Sequence, residues 1–362
     1  MTNPPTRRPT SEAEVAERIE AYRRRRPRLT DETVTLAHGA GGKASAALVD
    51  AVFIEAFGAP GPELTDGALL TVEGGRLAFS TDSYVVQPIV FPGGSIGELA
   101  VNGTVNDLAV SGAIPKWLSV AFVIEEGLPV ATLREIATAM RAAADAAGVV
   151  IVTGDTKVVP QGAADQVFIT SAGIGVVPDG RDLGAHRVAA GDRILVSGAI
   201  GDHGMAVMMA RGDLALEADI VSDSAPVNGW VEALYAAGVD VAWMRDATRG
   251  GVGTVVNELA QASGLGVLLE EETIPVHPAT RGACDMLGID PLYVANEGCF
   301  IAVVPNDAAV TALAALHAAG ATEAALIGRI TEDFPGAVAI HNAFGGDRLV
   351  DMLVGDPLPR IC

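Results

Sequence analysis

The chain has 362 residues, a length that fits about two domains, each with its own core. Hydrophobic residues make up 49% of it and 42 residues are glycine, the composition of an ordered globular protein with many tight turns. Twenty-four Lys and Arg face 45 Asp and Glu, and the net charge of −21 argues against nucleic acid or an anionic membrane as a partner, since both demand basic surface.

Residues 1–32 form an Arg-rich extension. "SEAEVAERIEAYRRRRPRLT" reads as a short polar helix and an arginine run broken at Pro27. It is either a solvated arm or a basic arm for an acidic surface. "MTNPPTRRPT" leads into no apolar segment, so it is not a secretory signal. No apolar run reaches the length of a membrane span, and the expected location is the cytoplasm.

An α/β segment is expected over residues 33–180. "HGAGGK" (38–43) is a glycine-rich loop ahead of a helical pattern, with Gly41, Gly42 and Lys43 able to meet a phosphate through backbone N–H groups and an ammonium. It lacks the Walker spacing. "RLAFSTDSYVV" and "KWLSVAFVIEE" read as strands from their alternation. "GSIGELAVNGTVNDLAVSGA" reads as a helix capped by Ser95, and "LPVATLREIATAMRAAADAAG" as an amphipathic helix ending at Gly148. "VVIVTGDTKVV" and "QVFITSAGIGVV" read as two more strands.

A turn-rich stretch, "PDGRDLGAHRVAAGD", marks the expected boundary near residue 180, and a second α/β domain follows over 181–350. Its expected elements are strand "RILVSGAIG", helix "HGMAVMMARG", helix "PVNGWVEALYAAG", strand "VAWMRDA" and helix "GVGTVVNELAQASG". Strands around "GVLLEE", "YVANEG" and "CFIAVV" come next, then helix "DAAVTALAALHAAG". Residues 351–362 are a flexible tail, in which Pro357 and Pro359 forbid a regular helix and favour an extended path to Cys362.

Several residues are candidates for chemistry. Asp82 sits where a strand runs out, Asp107 lies on a helix beside Asn106, and Asp155 directly follows a buried-looking strand. Three acids at the ends of three elements can converge on a site for magnesium, which takes one or two carboxylates beside nucleotide phosphates and water. Each is equally an ordinary cap or turn residue, as Asp66 in its D-G turn is expected to be. "RDATRGGVG" sets Asp246, Thr248, Arg249, Gly250 and Gly251 ahead of a helix N-terminus, an arrangement that favours an anion or simply makes a tight strand–helix turn. Lys157 and Glu297 become proton-transfer groups if their surroundings tune them. His38 and His203 sit in glycine-rich turns outside any metal-spaced pair, and Cys284 and Cys299 read as buried small hydrophobes. The three cysteines form no CxxC pair, which suits a reducing compartment and gives no zinc or iron–sulfur signature. A terminal thiol on a proline-stiffened arm reads as a nucleophile loaded at one site and processed at another.

Taken in order, "STDSYVVQPIVFPGGSIGELAVNGTVNDLAVSGA", "IVTGDTKVV", "RDATRGGV", "ANEG" and the terminal "PRIC" resemble the HypE family of carbamoyl dehydratases of nickel–iron hydrogenase maturation, over residues 33–362. The resemblance implies a two-domain α+β fold of the aminoimidazole ribonucleotide synthetase type, a homodimer built on N-terminal-domain strands, and ATP with magnesium between the domains. It implies that a carbamoyltransferase, HypF, loads a carbamoyl group onto Cys362. ATP-dependent dehydration then gives a thiocyanate, and cyanide passes to iron on a HypC–HypD complex. Asp82, Asp107 and Asp155 would hold magnesium; Lys43 and the Arg249–Gly251 turn would steady phosphates. Lys157 and Glu297 match the positions near the thiocarboxamide. Asn102 stands where many relatives carry cysteine, so a thiol there is not essential; the Arg-rich extension before residue 31 is unusual, and the resemblance says nothing about it. The alternatives are another ATP-dependent synthetase or kinase of the superfamily, which would not need Cys362, and a non-catalytic carrier of the group on that thiol. Selenophosphate synthesis fits poorly, because the glycine-rich loop holds His38 and no thiol.

Overall fold

The computed structural model describes residues 29–30, 43–54, 68–212, 219–342, 345–352 and 361–362. The polar helix and arginine run, Gly41, Gly42, His38, Asp66 and the prolines of the tail lie outside the described residues.

A first group of elements runs α1 (Lys43–Leu48), continued as a π-turn, β1 (Ala68–Val72), β2 (Gly75–Tyr84), β3 (Val90–Phe91), β4 (Gly94–Ser95), α2 (Ile96–Val110), β5 (Ile114–Glu125), α3 (Val130–Ala147), β6 (Val150–Val159) and β7 (Val167–Val177). Its five-stranded sheet has the order β1-β2-β7-β5-β6, antiparallel except for the parallel β5–β6 pair that α3 connects. The second group runs β8 (Arg193–Val196), α4 (Asp202–Ala210), α5 (Asn228–Ala236), β9 (Trp243–Asp246), α6 (Gly251–Ser263), β10 (Gly266–Glu270), α7 (Pro278–Leu287), β11 (Phe300–Val304), α8 (Ala309–Ala318), β12 (Ala325–Thr331), β13 (Val338–His341) and β14 (Asp347–Val350). They build a seven-stranded mixed sheet of order β14-β13-β10-β12-β8-β11-β9.

Helix α2 is the keystone. Ser95 caps it as its sequence predicts, accepting the Gly97 N–H at 3.1 Å, and nearly all its residues are buried. A helix buried all round must lie between layers: α2 packs on β2 and β7 and also touches α5 and β9 of the second unit. Its Asn102 and Asn106 therefore reach across to the second unit. Helix α3 ends at left-handed Gly148, as predicted.

Three sequence expectations change. Asp82 lies within β2, which runs on to Tyr84. Asp155 lies within β6 rather than after it, and β6 is exposed because it is the sheet's edge, with Val150, Val152 and Val158 facing out. "YVANEG" is not a strand: a short 3-10 turn, Pro291–Tyr293, leads into a loop, so Glu297 is held by side-chain hydrogen bonds instead of a ladder. The apolar content of that stretch feeds the core through Leu292, Val294 and Ala295, which conceals the loop from a periodicity reading.

Candidate active site

Alternation along β2 puts Ala78, Ser80, Asp82 and Tyr84 on one face, toward α2. There Ser80 donates to Asp107 on α2 in a short hydrogen bond. Asp82 accepts the Ser83 N–H at 2.7 Å and stands 3.9 Å from the Arg249 guanidinium. Arg249 comes from the turn between β9 and α6. In that turn the Gly251 N–H donates to the Thr248 carbonyl at 2.9 Å, and Gly250 is the left-handed N-cap of α6. Gly251 also has φ +58°, and a Cβ there would meet the Leu292 and Val294 carbonyls at 2.6 Å, so the turn requires glycine.

The Glu297 loop closes the other side. Asn296 donates to the Ala247 carbonyl at 2.7 Å and accepts the Gly201 N–H at 2.7 Å, tying the loop to the residue after β9. Asn106 donates to the Glu297 carbonyl at 3.0 Å. Glu297 is 3% exposed. Burial above all, then the nearby Asp82, Asp246 and Asp223 carboxylates, pushes its carboxyl well above the usual range, with Arg249 opposing. Burial likewise holds the Tyr84 phenol well above its ordinary value, aided by Asp82, Glu297 and Asp107. Arg249 is thus a cation whose hold on its proton is strengthened first by Cys362, against the effect of burial, and then by Asp82 and Glu297.

The end of the chain lies in this cleft. The Val85 N–H donates to the Cys362 carbonyl at 3.1 Å. Ile361 is 2% exposed and joins the hydrophobic cluster that includes Tyr84, Val86, Phe91 and Cys284. Its carbonyl accepts from His203 Nε2 at 2.6 Å.

The structure does not gather every residue singled out from the sequence. The sheet register sets Asp155 in the row of Ala121, Thr170 and Ser83, the face opposite to Asp82. Three strand spacings, about 14 Å, also separate β6 from β2. The three-acid convergence on Asp82, Asp107 and Asp155 therefore does not occur within one chain. Among the described residues no three His, Cys, Asp or Glu side chains are placed to hold a metal ion by themselves. Lys157 pairs with Asp155 at 2.6 Å, and that hydrogen bond, with the Thr156 N–H, lowers the exposed Asp155 carboxyl. Lys43 opens α1 and pairs with Asp351 at 3.4 Å. Cys284 and Cys299 are buried as expected. His203 is not in a turn but on α4, fully buried.

Sequence reasoning missed Asp223, Ser222, Asn296 and Ile361. Only Asn296 carried a signal, as the neighbour of Glu297. The others sit in irregular segments: Asp223 meets Glu297 74 residues on, Ile361 meets His203 158 residues back, and even Ser222 meets His203 19 residues back, outside any helical or strand spacing.

Two family models match the chain: the AIR synthase related protein N-terminal domain over residues 64–177 and its C-terminal domain over 189–341. The chain is 52% identical to the carbamoyl dehydratase HypE of Rhodobacter capsulatus over 339 residues, covering 92% of this chain and 99% of the relative. It is 48% identical to that of Escherichia coli, covering 91% and 99%. Among solved structures, a HypE–HypF complex aligns with a TM-score of 0.79 and 43% identity over 85% of this chain and 100% of that one. A HypE in complex with ATP aligns at 0.76 and 44% over 91% and 100%. A docked C-terminal cysteine, an arginine–glycine turn and a buried glutamate on this two-sheet scaffold accord with those matches: the chain belongs to the HypE family of carbamoyl dehydratases, within the AIR synthase related proteins.

Proposed function

We propose that this protein dehydrates a carbamoyl group carried on its own Cys362 thiol, at the expense of ATP, and leaves a thiocyanate as the source of a cyanide ligand for iron in hydrogenase maturation. The observation that carries this reading is the docked chain end: the Cys362 carbonyl accepts the Val85 N–H, three residues from Asp82, and the charge of Cys362 acts on Arg249, which in turn acts on the buried Glu297.

In the overall change the carbamoyl C–O bond breaks and the nitrogen gives up two protons as the C≡N triple bond forms. An amide oxygen is a poor leaving group, and ATP supplies the chemistry that converts it to phosphate. The residues around it have separate tasks. Arg249 sits where negative charge on a transferred phosphoryl builds up and stabilises it without reorganisation. The glycine turn at the N-terminus of α6, with Thr248, Gly250 and Gly251, suits phosphate oxygens, as do the neighbouring Asn106 and Asp246; Lys43 would reach the phosphates from the start of α1. Asp82 and Asp107 offer two carboxylates on the same side of the first sheet, both acting on Tyr84, and magnesium takes one or two beside phosphates and water.

Glu297 is the base for the amide nitrogen: burial raises the proton affinity of its carboxylate, and Arg249 opposes that rise. Holding the carbamoyl group beside these residues makes the step unimolecular, worth about 7–11 kcal/mol of barrier.

Asp155 and Lys157 project from the open face of the first sheet, which also exposes Leu70, Phe79, Trp117, Val123 and Val176. So much unburied apolar surface on one sheet supports a homodimer through this face. Asp155 and Lys157 then serve the site of a paired copy, Asp155 on magnesium and Lys157 on the thiocarboxamide. HypF is the carbamoyl donor and a HypC–HypD complex the acceptor. All three cysteines are free thiols, in keeping with a reducing cytoplasm, and no helix among the described residues is long and apolar enough to cross a membrane.

Mass spectrometry of the C-terminal peptide tests the reading, after incubation with a HypF carbamoyltransferase and carbamoyl phosphate. A carbamoyl adduct on Cys362 that loses one water only when ATP and magnesium are added is the expected result. An adduct that persists with ATP bound would reduce the protein to a carrier.

A further inference from the structure

The docked tail touches a buried polar chain that the chemistry above does not use. A backbone carbonyl can only accept, so the 2.6 Å contact between the Ile361 carbonyl and His203 requires the proton on Nε2. Burial pushes the His203 imidazole down to about 4, so the ring is neutral and its Nδ1 is an acceptor. The hydroxyl of Ser222, 2.8 Å away, must then donate to Nδ1. The same oxygen accepts the Ser224 N–H at 3.1 Å, which completes its geometry.

The next residue continues the chain. The Asp223 carboxylate accepts the Glu297 N–H at 3.0 Å and the Gly298 N–H at 3.1 Å, one on each oxygen. Contact is tight enough that a Cβ on Gly298 would overlap the Asp223 carbonyl. The segment is pinned from the first unit as well. The Ser222 N–H donates to the Pro92 carbonyl at 2.8 Å. Asn102 donates to Ser224 Oγ, and Asn106 holds both the Ala225 and Glu297 carbonyls. Residues 222–225 are thus a strap with the tail tip at one end and the Glu297 loop at the other.

We propose that His203, Ser222 and Asp223 are positioning residues that couple the docked tail to the Glu297 loop, so that the loop is fixed in place when Cys362 is in the cleft. The coupling follows from satisfaction of buried groups. When the tail leaves, the Nε2–H of His203 loses its acceptor in an apolar pocket beside Phe91. The ring must turn to find another, and turning breaks the Ser222 hydrogen bond that holds the strap. Among the described residues Asp223 is held by that strap, its own backbone and the Glu297 and Gly298 N–H groups, so its grip on the loop loosens when the strap shifts. The claim about catalysis rests on the roles proposed for Cys362 and Glu297; the claim about coupling does not.

Amide hydrogen exchange across residues 296–300 of the full-length protein separates the two. Deleting residues 361–362 is expected to speed exchange at Glu297 and Gly298 about ten-fold, and Ser222→Ala in the intact chain to do the same. In the Ser222→Ala background the deletion then adds nothing, whereas Ser222→Thr, which keeps the hydroxyl, restores the response. Additive effects of S222A and the deletion would overturn the coupling, because a merely structural serine loosens the loop whether or not the tail is present. Asp223→Asn, nearly isosteric, is read on protein already carbamoylated at Cys362: turnover drops at least ten-fold with ATP affinity unchanged. If the exchange couples as expected but D223N turns over normally, the relay stands and the role given to Glu297 falls.

Discussion

Replacing Ile361 by alanine should release the tail. The side chain is 2% exposed in a cluster with Tyr84, Phe91 and Cys284, and Ile361→Ala removes three carbons from it. At about 0.8 kcal/mol per buried methylene the docked state loses about 2.4 kcal/mol, and any cavity left behind adds to this. With a factor of ten for each ~1.4 kcal/mol, the undocked fraction rises roughly 50-fold. A bulky maleimide reads this fraction, because it reaches the half-buried Cys362 only when the tail is off the surface. The other two thiols stay silent: both are buried, and burial pushes Cys284 up to about 11 and Cys299 up to about 12. The labelling rate at Cys362 should therefore rise by one to two orders of magnitude with the fold intact by circular dichroism. An I361A protein that labels at the parental rate would refute the idea that this side chain holds the tail.

Three further outcomes are expected. Gly298→Ala forces a Cβ into the Asp223 carbonyl, and relieving the overlap should cost about 1–3 kcal/mol in urea unfolding, whereas Gly229→Ala, at an exposed helical position with open space around it, should not. If Lys157 serves the site of a paired copy, mixing K157A with E297A copies should regain activity that neither variant has alone, because the mixed dimer keeps one complete site; inactivity of the mixture would place both residues in one chain's site. Stability should also change with pH in opposite senses at two histidines. His277 is raised, first by its hydrogen bond to Asp202 and further by Glu323, so its contribution is complete below the ordinary imidazole value of ~6.5 and is lost as pH rises through the folded value; His277→Asn should flatten that limb in urea unfolding. His203 is lowered to about 4, so the native state holds fewer protons than the unfolded chain between ~6.5 and 4, and stability falls across that window by on the order of 3 kcal/mol as pH drops.

Local and contiguous features were legible in the amino-acid order. Ser95 and Gly148 announce the ends of α2 and α3 because caps are chosen by residues adjacent in the chain. The Arg249–Gly251 turn is legible for the same reason: a positive φ beside two carbonyls admits only glycine. Cys362 could be singled out because nothing in packing explains a thiol on a proline-stiffened end. The motifs in their order also identified the family, which the comparisons bear out.

Tertiary structure decided the rest, because it depends on which distant segments share a surface. Asp82 and Asp155 look alike in sequence, each beside a Thr in a polar strand stretch. Only the register and strand order reveal that they face opposite sides of the sheet, three strands apart. Glu297 reads as a plain surface charge; burial first, then the Asp82, Asp246 and Asp223 carboxylates brought in from distant segments, raise its proton affinity. His203, Ser222 and Asp223 had no pattern to betray them. A hydrogen bond to the carbonyl of Ile361, 158 residues away, is fixed by how the two units and the chain end pack together, and no spacing along the chain encodes it.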